Sequence, residues 1–290
     1  MNQEDHRLHL QEGPINLILD VDAFKDIRKH LFISAKKRLS TVLRELVLEL
    51  DLLKLPWKIQ SPVPKGKIAQ RMFYAVSDLD VFVTPMAAVA GAVADEILDA
   101  MRKTVEKSDY YLDNVKRMYV NNGGDLSFWL KSGSSFSIGI IDNIETPELN
   151  TKVSLHHESP VRGIATSGWR GRSQSLGIAD AVTVLAKSAV EADVAATLIA
   201  NDVNIEYPGI EKRPASELKD DSDLGSMPVT VDVPSLPDFM VSEALNKGAK
   251  TARKFINMGI IETAYLSLQK QTLVVEKNNN EKSNERSNKS

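Results

Sequence analysis

Residues 181–200 read AVTVLAKSAVEADVAATLIA, and the fold class follows from how this stretch is parsed. Its first six residues are an unbroken apolar, partly β-branched run, the pattern of a strand buried on both faces. Ser188-Ala-Val-Glu191 is a capping box, in which a hydroxyl and a carboxylate satisfy the free N–H groups of a helix start. A helix is therefore expected from there to about Ala200. On it Asp193 and Thr197 stand four residues apart, so their oxygens share one face. Their neighbours are Ala, Val, Leu and Ile, and a carboxylate buried among such residues needs a partner. One carboxylate, one hydroxyl and added carbonyl or phosphate oxygens suit Mg²⁺. A capping or inter-helix hydrogen bond satisfies the same pair, and spacing alone favours that plainer use.

Upstream, 162–180 reads RGIATSGWRGRSQSLGIAD. Its glycines expose backbone N–H groups, Thr166 and Ser167 add hydroxyls, and Arg170 and Arg172 add charge, which together could cradle phosphates or form a solvated loop. Neither GxxxxGK[ST] nor GxGxxG occurs. Residues 117–130, RMYVNNGGDLSFWL, read as two strands about a Gly-Gly turn, and FSIGII at 136–141 as another strand. Asn121, Asn122 and Asp125 beside that turn could read a base or flavin edge, since an amide offers both donor and acceptor. Thr84-Pro85 is a helix-start signal and a possible anion site, and the following PMAAVAGAVAD (85–95) is nearly all small side chains, which allow close backbone approach.

Further out, 15–21 is expected to be a strand and Phe24–Leu53 a long amphipathic helix ended by Pro56, whose apolar stripe packs internally or across a homodimer. Residues 58–71 read as a loop, and Phe73–Val76 and Val81–Val83 as extended. The proline-rich 207–238, with Glu217, Asp220, Asp221 and Asp223, reads as a surface arm. A helix over 239–257 and a hairpin over 260–275 follow, and the polar tail 276–290 is expected to be disordered. Blocks of hairpins and long helices give α+β with an antiparallel sheet.

Composition narrows the chemistry. The 290 residues carry 36 Lys+Arg and 39 Asp+Glu, a net charge of 36 − 39 = −3, so no overall basic field draws the chain to nucleic acid or anionic lipid. The absence of cysteine excludes disulfides, a thiol nucleophile, thiolate zinc and iron–sulfur clusters. No apolar run has transmembrane length and the first residues are polar with both charge signs, so a cytoplasmic protein is expected. His156 and His157 are adjacent on an expected strand and point to opposite faces, a poor metal pair. His6, His9 and His30 are scattered, and no Ser-His-Asp arrangement is legible in the order of residues.

Taken together, these blocks resemble the ApbE-like superfamily, whose best-known members are flavin transferases. AAVAGAVAD (87–95) looks like its GGIAKGYAVD helix, VNNGGD (120–125) like its NxGGD turn with FSIGIID (136–142) as the next strand, GIATSG (163–168) like its IATSGD block, and VTVLAKSAVEADVAATLIA (182–200) like its VTVxAPSxxxADAxATAxF helix. PMAAVAGA, NGGD and the run Ser173–Val184 are similar to a branch found in anaerobic prokaryotes, methane-producing archaea among them, which has been linked to sulfide assimilation into homocysteine. The resemblance implies a T-fold-type antiparallel sheet with helices over 1–275 and an extra long N-terminal helix. It also implies Mg²⁺ held by Asp193, Thr197 and a main-chain carbonyl near Val89, which turns the reading of that pair from a plain hydrogen bond to a metal site. FAD or FMN would sit against Asn121, Gly123, Gly124 and Asp125, with Thr166, Ser167 and Gly168 as further cofactor-binding residues.

The chain departs from the flavin-transferase pattern at three places: Ala90 replaces a lysine, the segment Ser173–Asp180 lacks the histidine used for proton transfer, and the N-terminal methionine-and-threonine block is unmatched. Within the branch, Ala165 stands where a cysteine is common. The metal end is kept, while the acid–base end, worth about 10²–10⁴-fold in such enzymes, is lost or replaced. The leading expectation is metal-dependent binding of a flavin- or nucleotide-like ligand in anaerobic sulfur metabolism. The alternatives are an FMN transferase using Asp125 or Asp180 as its replaced acid–base residue, and a non-catalytic partner of sulfur-assimilation proteins.

Overall fold

A computed structural model describes residues 6–141 and 149–277. The chain opens with β1 (Arg7–Glu12) and β2 (Ile15–Asp22), then α1 (Lys25–Val47), the short α2 (Leu50–Leu53) and α3 (Lys67–Val76). A 3₁₀ turn (Pro85–Ala88) leads into α4 (Val89–Val105), followed by α5 (Asp109–Asn114). Six strands come next: β3 (Arg117–Asn122), β4 (Asp125–Leu130), β5 (Ser135–Ile141), β6 (Leu149–His156), β7 (Gly163–Ser167) and β8 (Ala181–Ala186). The rest is α6 (Ala189–Asp202), β9 (Glu211–Pro214), α7 (Ala215–Leu218), β10 (Pro228–Asp232), α8 (Asp238–Asn257), β11 (Ile261–Leu268) and β12 (Gln271–Glu276). The architecture is α+β, as the segment order implied.

Eight strands form one sheet in the order β1-β2-β3-β4-β7-β8-β11-β12, each antiparallel to its neighbour. Strand alternation sends Leu17, Leu19, Met118, Val120, Val182, Val184 and Leu266 to one face, where α1, α3, α4, α6 and α8 bury them. The opposite face carries a smaller core of Phe128, Leu130, Ile164 and Leu185, covered by the β5–β6 hairpin through Leu155 and Phe136. The joint between β4 and β7 is short. Only Leu126↔Ile164 and Ser127↔Gly163 are in register there, supplemented by the Phe128 N–H donating to the Arg162 carbonyl at 3.0 Å.

The apolar stripe of α1 (Ile27, Leu31, Ala35, Leu39, Val42, Leu46) is buried within the chain's own core, so it packs internally. Several local readings are corrected, among them 67–71, expected as loop, which is the first half of α3. Phe73–Val76 is the end of α3, not extended chain: Ile68, Met72 and Val76 recur at four-residue steps and are all buried. Residues 81–83 form no strand. The arm 207–238 is partly ordered into a two-stranded sheet of β9 and β10 with α7 between them. The first part of the glycine-rich stretch is likewise strand β7, because Gly163, Ala165 and Ser167 meet the helical layer where a loop would leave backbone groups unpaired. Among the described residues no helix is long and apolar enough to cross a membrane. The expected tail lies, from 278 on, outside the described residues, as does Asp142.

Candidate functional site: a carboxylate pair at the fork of the sheet

Two glycines fix how the elements meet. A Cβ on Gly91 would lie 2.3 Å from the carbonyl oxygen of Ala189, and one on Gly163 would lie 2.0 Å from the backbone of Ser188. The start of α6 is thereby pressed against both α4 and β7 at backbone-to-backbone distance. Ser188 caps α6 as the sequence implied: its Oγ accepts the Glu191 N–H at 3.3 Å and donates to Glu191 Oε2 at 2.8 Å.

Against this crossing sits Asp193, one turn into α6. Its Oδ2 accepts the Gly91 N–H at 2.9 Å, and the Ala90 N–H also reaches it. Asp125, the first residue of β4, is hydrogen-bonded to Asp193 and is 7% exposed. The contact raises the Asp125 pKa and lowers that of Asp193. Burial, then the charge of Asp193, pushes the Asp125 carboxyl well above its ordinary range; the Thr166 backbone N–H and the charge of Arg172 oppose the rise. Burial likewise pushes Asp193 up to about 7. The pair is a low-dielectric arrangement of two acids that cannot both be charged without a cation.

The turn between β3 and β4 frames the pair. Gly123 has φ +68° and Gly124 φ +121°, backbone that only glycine adopts without strain. Asn121 Oδ1 accepts the Gly124 N–H at 2.9 Å and closes the turn. Strand alternation puts Asn121 on the face away from the helices, whereas Asn122 faces them and donates to the Ala90 carbonyl at 3.1 Å. The exposed Arg172 lies over the turn: a Cβ on Gly123 would meet its Nη2 at 1.9 Å.

Thr197 follows Asp193 on α6, and Asn201 follows Thr197, all three partly buried at four-residue steps. Asn201 Oδ1 accepts the Leu176 N–H at 2.9 Å, so this polar stripe runs from Asp125 to the glycine-rich loop. Val89 is the first residue of α4, next to Ala90 and Gly91. The Thr166 hydroxyl points to the far face and pairs with Thr183 at 2.8 Å; only its N–H serves Asp125. Ser167 is buried, and Gly168 (φ +155°) packs with its would-be Cβ 2.5 Å from the Asp180 carbonyl oxygen. Asp180 accepts from Arg170 Nε at 2.8 Å and from the Gln269 N–H at 2.6 Å, which ties the loop to β12's turn rather than to the pair. Thr84 does not cap a helix through its side chain; its hydroxyl donates to Asp223 of the arm at 2.5 Å.

Residue-by-residue reading missed Asp95. It is 6% exposed and accepts from Ser127 Oγ at 2.5 Å, Ala189 N–H at 3.2 Å and Val190 N–H at 3.0 Å. The available signal was an acid ending a run of Ala, Gly and Val, where a charge must find donors.

The family described as AbpE bacteria matches residues 1–277. A UPF0280 protein of Methanobrevibacter smithii is 33% identical over 191 residues, covering 62% of this chain and 74% of its own length. A UPF0280 protein of Methanocaldococcus jannaschii is 31% identical over 193 residues, covering 64% and 70%. Among solved structures, the flavinyl transferase ApbE of Pseudomonas stutzeri aligns at 15% identity with a TM-score of 0.43 over 93% of both chains. The ApbE protein of Thermotoga maritima aligns at 12% identity with a TM-score of 0.45 over 95% of this chain and 98% of its own.

Proposed function

The chain belongs to the AbpE bacteria family, an ApbE-like family, and on that premise we propose that it binds a divalent metal at Asp125 and Asp193 and through it holds a flavin- or nucleotide-like ligand. The observation that carries this reading is the buried carboxyl pair itself, two acids in contact beside main-chain N–H groups, both pushed upward by burial. Such a pair has two ways to be neutral, a proton or a cation. Among the described residues no group of three or more His, Asp or Glu could hold a metal. The further ligands would therefore be the Thr197 hydroxyl, a main-chain carbonyl near Val89 and oxygens of the bound molecule. All are hard oxygen donors, which suits Mg²⁺, an ion that commonly keeps ligand phosphate in its shell. When bound, the metal would polarise a phosphoryl oxygen. The chain's own residues supply the rest: Asn122 and Gly91 fix the start of α4, and Arg172, over the Gly-Gly turn, places a positive charge beside the ligand-facing carboxyl.

A second reading, FMN transfer, is supported by Asp125, because burial and the neighbouring Asp193 push its carboxyl upward, the direction acid–base work requires. Asp180 is engaged by Arg170 and Gln269, so Asp125 is the better candidate. We place the activity in anaerobic sulfide assimilation towards homocysteine, with sulfur-assimilation proteins as partners; the support is the segment resemblance together with the relatives from Methanobrevibacter and Methanocaldococcus.

The test is a thermal-shift titration of metal-stripped protein with FAD, FMN and ATP, each with and without Mg²⁺. A ligand at a hundredfold excess over Kd stabilises the folded state by about 2.7 kcal/mol. The expected result is a Mg²⁺-dependent shift that Asp193→Ala abolishes. Metal-linked binding that survives Asp193→Ala refutes the metal site. FAD, Mg²⁺ and a threonine-containing acceptor peptide then test transfer, read as covalent flavin by mass.

A further inference from the structure

The carboxyl pair is assembled from three elements, α4, β4 and α6, and one side chain outside the pair is bonded to all of them but carries no assigned role. Asp95 sits on α4 one turn below Gly91, the residue whose N–H holds Asp193. Its Oδ1 accepts from Ser127, two residues along β4 from Asp125 and on the same face. Oδ1 and Oδ2 accept the Ala189 and Val190 N–H groups in the first turn of α6, just ahead of Asp193. The bonds are 2.5, 3.2 and 3.0 Å, and the Arg71 guanidinium stands 3.8 Å away. The carboxylate is 6% exposed, so water does not substitute for these donors.

We infer that Asp95 is a positioning residue that sets the Asp125–Asp193 geometry by pinning β4 and the start of α6 to α4. The inference rests on the proposed site for its functional meaning, but its structural content stands without it. The glycine contacts allow α4 and α6 to touch without a side chain between them. Besides the Gly91 N–H to Asp193, the directional bonds at this crossing come from Asp95, which alone of the two acids also bonds the Ser127 side chain of β4. Charge-assisted bonds to N–H groups at a helix start are among the stronger polar ties, and the free N–H groups there would otherwise be buried unpaired.

Asp95→Asn is the informative variant. It keeps the shape, but its amide can present an acceptor to the α6 N–H groups on one side only, and turns a donor towards the other. Met101→Ala, a fully buried change two turns along the same helix, serves as the stability control. The first measurement is amide hydrogen exchange in metal-free protein. Asp95→Asn is expected to speed exchange at Gly91, Ala189 and Val190 at least tenfold more than Met101→Ala, when each is corrected for its own global stability. The second is Mn²⁺ affinity, expected to weaken about tenfold or more in Asp95→Asn, the size typical of groups that orient metal ligands, and to hold within about twofold in Met101→Ala. Unchanged Gly91 protection in folded Asp95→Asn, or parallel losses in both variants, overturns the inference. If the wild type binds no Mn²⁺ while Gly91 exchange responds as expected, the positioning role stands and the metal site fails.

Discussion

Replacing Asp193 by Asn probes the pair most directly, because the structure fixes both the sign and the window of the effect. Asp193 has a pKa raised from 3.8 to about 7. Between about pH 4 and pH 7 the native state therefore holds a proton that the unfolded chain has already released. Stability contributed by that proton is complete below pH 4 and is lost as pH rises through 7. At 1.36 kcal/mol per pH unit the loss has an upper bound of about 4 kcal/mol, reduced by the partial exposure of the side chain. Asn accepts the Gly91 N–H, donates to Asp125 and does not ionise. In chelator, wild-type stability from urea melts is expected to fall between about pH 4 and pH 7, and the slope to flatten in Asp193→Asn, so that the variant gains on the wild type with rising pH. Millimolar Mg²⁺ at pH 8 is expected to restore the wild type and leave the variant unmoved. Parallel stability curves for the two proteins across this range would refute the account of a buried pair with Asp193 pushed upward.

Gly91→Ala places a Cβ 2.3 Å from the Ala189 carbonyl oxygen, and calorimetry is expected to show a loss of about 1–3 kcal/mol as α4 and α6 are forced apart. Ser188→Ala removes the cap of α6 and is expected to cost about 1 kcal/mol in denaturant melts, with no change in their slope. Gly123→Ala combines φ +68° with a collision at Arg172 Nη2. It is expected to cost at least about 1–2 kcal/mol, and Arg172→Ala in the same background is expected to recover the part due to the collision, as a double-mutant cycle would show.

The parts legible in the sequence are those where one local rule decides. The strand at 181–186, the Ser188 cap and the Gly-Gly hairpin each depend on a few adjacent residues, and each stands as expected. The misread parts are those where two rules compete. Phe73–Val76 is aromatic and ends in a β-branched residue, but the four-residue recurrence reaching back to Ile68 outweighs that local preference. Strand β1 has only Leu8 and Leu10 as apolar signal, and it forms because β2 offers an edge. At the site, the i,i+4 spacing of Asp193 and Thr197 was visible, and Asp125 was visible beside its glycines. That Asp125 and Asp193 touch was not, since it depends on α6 crossing β4 far apart in sequence. The register of β3 decides between Asn121 and Asn122, and a one-residue offset exchanges their faces.

The short joint between β4 and β7 has a consequence for how the sheet is held together. Past Leu126 and Ile164 the two strands part like the tines of a fork, and the backbone N–H of Thr166, which a longer ladder would have spent on β4's main chain, goes to the Asp125 carboxyl instead. The sheet is thus two four-stranded leaves stitched by a few bonds, and one stitch is a side chain. Asp125 belongs to one leaf and takes its backbone bond from the other, so a substitution at this single position is felt on both sides of the seam.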